Sequence, residues 1–192
     1  MEGLTSTSSK VGGLLAAELG GESLIGRGGF KLASPAFPEG GQLDPCFTAQ
    51  EEDAVAPPLE WTSPPTGAME LALVVESPRG DGGEPACHWL VWGLASQQGK
   101  LLEGEVPPRV GKNSLGNSEW LLPNPPEGAG PQSFIFQLFA LDLPLILMPG
   151  ATRQDLRNAM EGHVVSIALL SASYEHQDMD DGTDWPDEDG QN

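Results

Sequence analysis

Ser133-Phe134-Ile135-Phe136-Gln137-Leu138-Phe139-Ala140-Leu141 is apolar at all but two of its positions. A strand with one wet face alternates apolar and polar residues, so a run this apolar predicts a strand covered on both faces. Asp142 separates it from the next apolar run, Leu143–Pro149, and both are far short of the roughly 20 residues of a bilayer span. Working outward, Met69–Glu76 reads as a second strand. It ends at Ser77-Pro78-Arg79-Gly80-Asp81-Gly82-Gly83, a loop by its turn residues. His88–Leu94 reads as a third, with Trp89 and Val91 on one face and His88, Leu90 and Trp92 on the other. Thr152–Glu161 carries a helix pattern, with Thr152 as N-cap, Asp155 in the first turn and Leu156, Ala159 and Met160 on one side. Gly162 closes that helix, and Val164–Tyr174 resumes as a strand.

Composition agrees with strands joined by irregular loops. The 192 residues include 25 Gly and 18 Pro with no strict period, too many for a helical bundle and too irregular for a collagen-like chain. Pro-rich connections such as Pro57-Pro58, Pro64-Pro65, Pro107-Pro108 and Pro123–Pro131 join the strands. Nine basic against 28 acidic residues give a net charge of −19. That excludes nucleic acid as a natural partner, because phosphate contacts need clustered Lys and Arg, and it disfavours an anionic membrane surface. Neither a secretory signal nor a membrane-inserting segment is visible, and the chain reads as a soluble, cytoplasmic protein.

Three regions follow. Residues 1–28 form an N-terminal extension in which Val11, Leu14, Leu15 and Leu19 make the stripe of a short amphipathic helix. Glycines at 12, 13, 20 and 21 weaken that helix, so it must lean on the chain's own sheets or on a partner, and a homodimer through this helix is the expectation. Residues 29–174 are the folded domain. Residues 175–192 hold eight acidic residues and no Lys or Arg, the composition of a disordered tail.

Catalytic and metal chemistry find little support. There is no G-x-S-x-G elbow, and Cys87 and His88, as neighbours in a strand, point to opposite faces. Cys46 and Cys87 are compatible with one bridge, but buried free thiols are the commoner outcome. His88, His163 and His176 lack metal-ligand spacing, so no metal and no cofactor is expected. What remains is a pocket. His88, flanked by Trp89 and Trp92, is a polar group on an apolar surface, with Glu76 at the end of another strand as a candidate neighbour. A histidine satisfied by a backbone carbonyl in the core is the competing reading.

The order of segments resembles the phosphatidylethanolamine-binding protein family, in its bacterial Raf-kinase-inhibitor-like branch. Matching pieces run from Leu32-Ala33-Ser34-Pro35-Ala36-Phe37 through Ala56-Pro57-Pro58-Leu59-Glu60-Trp61, His88-Trp89 and Gly111-x-Asn113. They continue through Pro123-Asn124-Pro125-Pro126-x-Gly128 and Phe136–Asp142 to Gly162-His163-Val164. The resemblance implies a mostly β fold, a sandwich of antiparallel sheets with a few peripheral helices. It also implies a shallow pocket for small anions or phospholipid headgroups, and kinase inhibition of the kind shown by some eukaryotic members.

Carried over residue by residue, the family's D-P-D falls on Ser77-Pro78-Arg79, and its pocket histidine on His88. Its G-P-x-P-P falls on Leu122-Pro123-Asn124-Pro125-Pro126, and its His-Arg-Tyr on Gln132-Ser133-Phe134. Glu76, Ser77, Pro78, His88, Pro123, Pro125, Pro126 and Gln132 are thus the expected ligand-binding residues. Two cationic groups of the family pattern are replaced by neutral ones. A charge-assisted hydrogen bond contributes about 1.5–3 kcal/mol against about 0.5–1.5 for a neutral one, so weak anion binding is expected. The resulting expectation is a non-catalytic binding protein with a reduced pocket. Its rival is a protein–protein interaction module in which the pocket is vestigial.

Overall fold

The protein's structure, a computed structural model, describes residues 13–178. In chain order its elements are α1 (Leu15–Leu19), β1 (Leu32–Ala33), β2 (Gly41–Gln42), β3 (Leu59–Trp61), β4 (Glu70–Ser77) and β5 (Ala86–Ala95). They are followed by β6 (Gly99–Leu101), β7 (Gln132–Leu141), α2 (Arg153–Met160) and β8 (Val164–Tyr174). The long strands and α2 fall where the apolar patterns predict them. They build a five-stranded sheet in the order β2-β8-β7-β4-β5 and a three-stranded sheet in the order β1-β3-β6. The expectation of antiparallel sheets holds for every strand pair but one: β2 runs parallel to β8, with Gly41 opposite Ala172 and Gln42 opposite Ser173.

The central strands are covered on both faces. On one face Leu71, Leu73, Val75, Phe134, Phe136, Leu138 and Leu170 pack against Leu32, Leu59, Trp61 and Leu101 of the small sheet. On the other, Ala72, Val74, Phe139 and Ile167 pack against Leu15 and Ala16 of α1 and Leu156 and Met160 of α2. Each fully buried side chain of this size contributes about 1.5–3 kcal/mol relative to exposure, which is why a strand apolar on both sides belongs at the centre of three layers. Thr152 and Asp155 form a reciprocal capping box at the start of α2. Just past its end, Gly162 adopts φ +78°, a left-handed conformation that costs glycine nothing.

One irregularity matters for function. Val75 pairs with Trp89, but the next residue, Glu76, pairs with Cys87. His88 is the extra residue of a β-bulge, so it does not share the face of Leu90 and Trp92 as strict alternation predicts. Its ring packs on Phe134 and Trp120, on the same side as Trp89, while Cys87 joins the layer under the helices.

The N-terminal stripe is also resolved in part. Leu14 and Leu15 are buried within the chain itself, Leu19 is partly buried, and Val11 lies outside the described residues. Leu14 and Leu15 are therefore covered within the chain, whereas part of Leu19 faces outward. Of the expected acidic tail, residues 179–192 lie outside the described residues. The carbonyl of Gln177 accepts from Gln50 Nε2 at 2.8 Å, and its N–H donates to Gln50 Oε1 at 2.9 Å.

Candidate functional site

At one end of the large sheet, the loop after β4 and the Pro-rich segment before β7 enclose an open cleft of about 810 Å³. Its walls are Pro78, Arg79, Asp81, Pro125, Pro126 and Gln132, with Ser133, Ser171 and Ser173 from β7 and β8. Ser133 and Ser173 are cross-strand partners and so present their hydroxyl-bearing side chains on the same face. Prolines at 78, 125 and 126 bring no backbone donor to this wall, so its donors are side chains and the N–H groups of non-proline loop residues such as Gly80 and Gly130.

Ser77 stands behind this wall and is almost completely buried. Its hydroxyl donates to the Ser133 carbonyl at 2.7 Å and accepts from Gln132 Nε2 at 2.8 Å, so the two expected site residues are joined to each other. Arg79 is the one cation among the residues lining the cleft, and it pairs with Asp81 at 3.1 Å. Both side chains are more than half exposed, and such a pair contributes little to stability, so Arg79 can exchange its partner for a ligand at small cost. The Gly83 N–H and then Arg79 lower the Asp81 carboxyl below its usual range.

His88 does not line the cleft. It is only 4% exposed, and its Nδ1 lies 2.7 Å from the Leu121 carbonyl. A carbonyl can only accept, so Nδ1 carries the proton and Nε2 is an unprotonated acceptor, buried and without a partner among the described residues. Burial pushes its pKa below the usual histidine value, partly offset by the Leu121 hydrogen bond. Pro123 is likewise buried away from the cleft, its carbonyl accepting from the Ala49 N–H at 3.0 Å.

Glu76 faces the opposite layer. Its fully buried carboxylate accepts from Arg153 Nε at 2.7 Å, from the Leu15 N–H at 2.9 Å and from Gln137 Nε2 at 2.8 Å. Gln137 Oε1 in turn accepts from the Ala16 N–H at 2.8 Å. The expectation that Glu76 shares a pocket with His88 is therefore corrected. Residues on opposite faces of one sheet cannot meet, and Glu76 anchors the start of α1 instead. Gln137 is the only polar residue inside the apolar run of β7, a signal that a buried partner had to exist. Arg153 had no such signal, because an arginine at the first position of a helix reads as exposed.

Cys46 and Cys87 are both free. Burial pushes the Cys46 thiol up to about 11 and the Cys87 thiol up to about 12, where neither is a ready nucleophile. Among the described residues no group of three or more His, Cys, Asp or Glu side chains is placed to hold a metal ion, and no helix is long and apolar enough to cross a membrane.

Comparison with known proteins bears on this geometry. A family model described as phosphatidylethanolamine-binding protein matches residues 33–175. LppC of Mycobacterium tuberculosis, named a lipoprotein, is 37% identical over 146 residues, 75% of this chain and 71% of its own. A UPF0098 protein of Chlamydia pneumoniae is 36% identical over 152 residues, 76% of this chain and 98% of its own. Among solved structures, the phosphatidylethanolamine-binding protein homologue CT736 from Chlamydia trachomatis superimposes with a TM-score of 0.70 at 31% identity, covering 77% of this chain and 98% of that one. YbcL of E. coli shares the fold with a TM-score of 0.68 at 20% identity, over 77% of this chain and 99% of its own. Paired sheets, a β5 bulge and proline-walled loops at the sheet's end thus sit on a match spanning β1 to the end of β8, and the chain belongs to the phosphatidylethanolamine-binding protein family.

Proposed function

We propose that this protein is a non-catalytic binding protein whose proline-walled cleft takes a small anion of the phospholipid-headgroup type. The observation that carries the reading is Arg79, the one cation among the described residues lining the cleft, alongside Gln132 and the hydroxyls of Ser133 and Ser173, the Ser171 hydroxyl being engaged by Glu39. One charge-assisted contact and two or three neutral ones hold such a ligand weakly, since each neutral hydrogen bond contributes only about 0.5–1.5 kcal/mol. The non-catalytic part is supported by Cys87 and His88 facing opposite layers, and by the engagement of His88 Nδ1 with Leu121. One observation favours a second reading, an interaction module with a vestigial pocket: His88 is buried and stands apart from the cleft.

Titration with phosphorylethanolamine at two salt concentrations, followed by calorimetry and by amide NMR shifts, tests the proposal. The wild-type chain should show shifts at Arg79, Gln132 and Ser133. Arg79→Gln should weaken binding by about tenfold, the loss of one charged contact worth about 1.4 kcal/mol. Gln132→His combined with Ser133→Arg should strengthen it. Absence of shifts in the cleft at saturating ligand decides for the interaction module.

A further inference from the structure

A second cleft shares no lining residue with the proline-walled one. It has a volume of about 390 Å³, within the range of small-molecule sites. Its walls include Val55, Trp89, Val106, Val110, Leu115 and Trp120. The aromatic part is rigid: Trp120 meets Trp89 edge to face at 5.7 Å, stacks on Phe136 at 6.0 Å and donates its indole N–H to the Phe47 carbonyl at 3.1 Å. The aliphatic rim is open. Val106 is 84% exposed and Leu115 71%, on two different loops that both reach the cleft. Isolated exposed aliphatic residues are ordinary, but two converging on an aromatic floor form a surface that a ligand can dry.

Charge says what kind of ligand. The lining includes Glu105 and Glu119 and no Lys, Arg or His. The stretches at 51–56, 103–107 and 115–122 add Glu51, Glu52, Asp53 and Glu103, while Arg109, next to the lining residue Val110, lies 3.8 Å from Glu70. The cleft is thus an apolar slot over a nearly closed aromatic floor, Trp89 being 2% and Trp120 9% exposed, with two carboxylates and no base in its lining, in a chain of net charge −19. Aromatic faces and carboxylates both attract cations. The acidic residues at 180–189 make the chain's own terminus a poor match for it, by like charge. The concavity is bounded, which fits a compact molecule.

We infer that this cleft is a binding site for a small amphiphilic amine, its apolar body on Trp89, Trp120 and Leu115 and its ammonium group at Glu105 and Glu119. The site is independent of the anion cleft.

The test uses three probes that differ only in their head group: 4-phenylbutylammonium, 4-phenylbutanol and 4-phenylbutyrate. Each is titrated into the full chain while the indole N–H signals of Trp89 and Trp120 and the methyl signals of Val106 and Leu115 are followed. The amine should shift these signals and bind at least about tenfold more tightly than the carboxylate, with a preference that shrinks as salt rises. Glu105→Gln with Glu119→Gln should reduce the preference for the amine over the alcohol several-fold. Leu115→Lys, at an exposed position that does not bear on folding, should abolish amine binding. Equal binding of the three probes overturns the ammonium assignment. Absence of shifts at the four reporters, or amine shifts confined to Arg79 and Gln132, overturns the site.

Discussion

Replacing Arg153 with alanine should destabilise the fold by about 3 kcal/mol, although Arg153 begins a surface helix. The magnitude follows from what is left behind. Glu76 is 0% exposed, and its carboxylate has three donors, of which Arg153 Nε at 2.7 Å is the only charged one. Removing one partner of a buried ion pair costs about 3–5 kcal/mol, because the survivor keeps its desolvation penalty. Two donors remain, the Leu15 N–H and Gln137 Nε2, which places the expected cost at the lower end. The reverse change, Glu76→Gln, should cost less, about 1–2 kcal/mol. It leaves Arg153 within 3.8 Å of Glu18 and 3.6 Å of Glu84, and an amide oxygen can still accept from Leu15.

Urea unfolding with constant slope gives both values, and the double variant should recover at least about 1 kcal/mol of their sum. Hydrogen exchange supplies a local readout. The Leu15 and Ala16 amides donate to Glu76 and Gln137 and are the first unsatisfied donors of α1, so their protection should fall before that of β7. A cost below about 1 kcal/mol for Arg153→Ala, or strict additivity in the double variant, would falsify the claim that this pair anchors the N-terminal segment.

Two further outcomes follow from burial. His88 titrates below the usual histidine value in the folded state because burial penalises its cation, whereas the unfolded chain takes up that proton near pH 6.5. The unfolded state binds more protons between those two values. Stability should therefore fall as pH drops from about 6.5 toward the lower folded value and level off beneath it. His88→Asn should flatten this part of the profile of urea midpoint against pH, and an unchanged slope counts against a buried neutral imidazole. With thiols pushed up to about 11 and about 12, Cys46 and Cys87 should alkylate slowly at pH 8 without denaturant. The half-buried Cys46 should react before the buried Cys87. Rapid modification of Cys87 in the native state contradicts this.

The elements that were legible in the sequence are those whose burial repeats along the chain. β4, β7 and β8 are eight to eleven residues long and mostly apolar, and reveal themselves by those apolar runs. α2 adds a capping box to its apolar side. β1 and β2 are two residues long, and β3 and β6 three, so no period exists to read. Their pairing is set by the walls they lean on, as in the parallel contact of Gly41 and Gln42 with β8. Legibility of the site divides in the same way. Pro78, Pro125 and Pro126, from motifs that carry their own backbone geometry, line the cleft together with Gln132 at the start of β7. Ser171 and Ser173 join them only through the register of β8 against β7, which no local pattern announces.

His88 shows most clearly why side chains near a sheet's end resist such reading. Strict alternation assigns it to the face of Leu90, and a single extra residue between the Val75 and Glu76 pairings moves it to the face of Trp89. That shift separates it from Glu76 by the thickness of the sheet, and the sheet turns two neighbouring polar residues to opposite uses. Glu76 enters the helical layer, where an arginine and two further donors satisfy it. His88 enters the aromatic layer between Phe134 and Trp120, where among the described residues only one of its nitrogens finds a partner. An unpartnered acceptor in such surroundings is a cost the fold bears, and deletion of that nitrogen separates its possible roles. If His88 serves only packing, His88→Phe should match or exceed wild-type stability and leave phosphorylethanolamine binding at Arg79 and Gln132 unchanged. If the fold retains Nε2 for a ligand, the same change should weaken binding while stability rises, and the two measurements together assign the residue to the cleft or to the core.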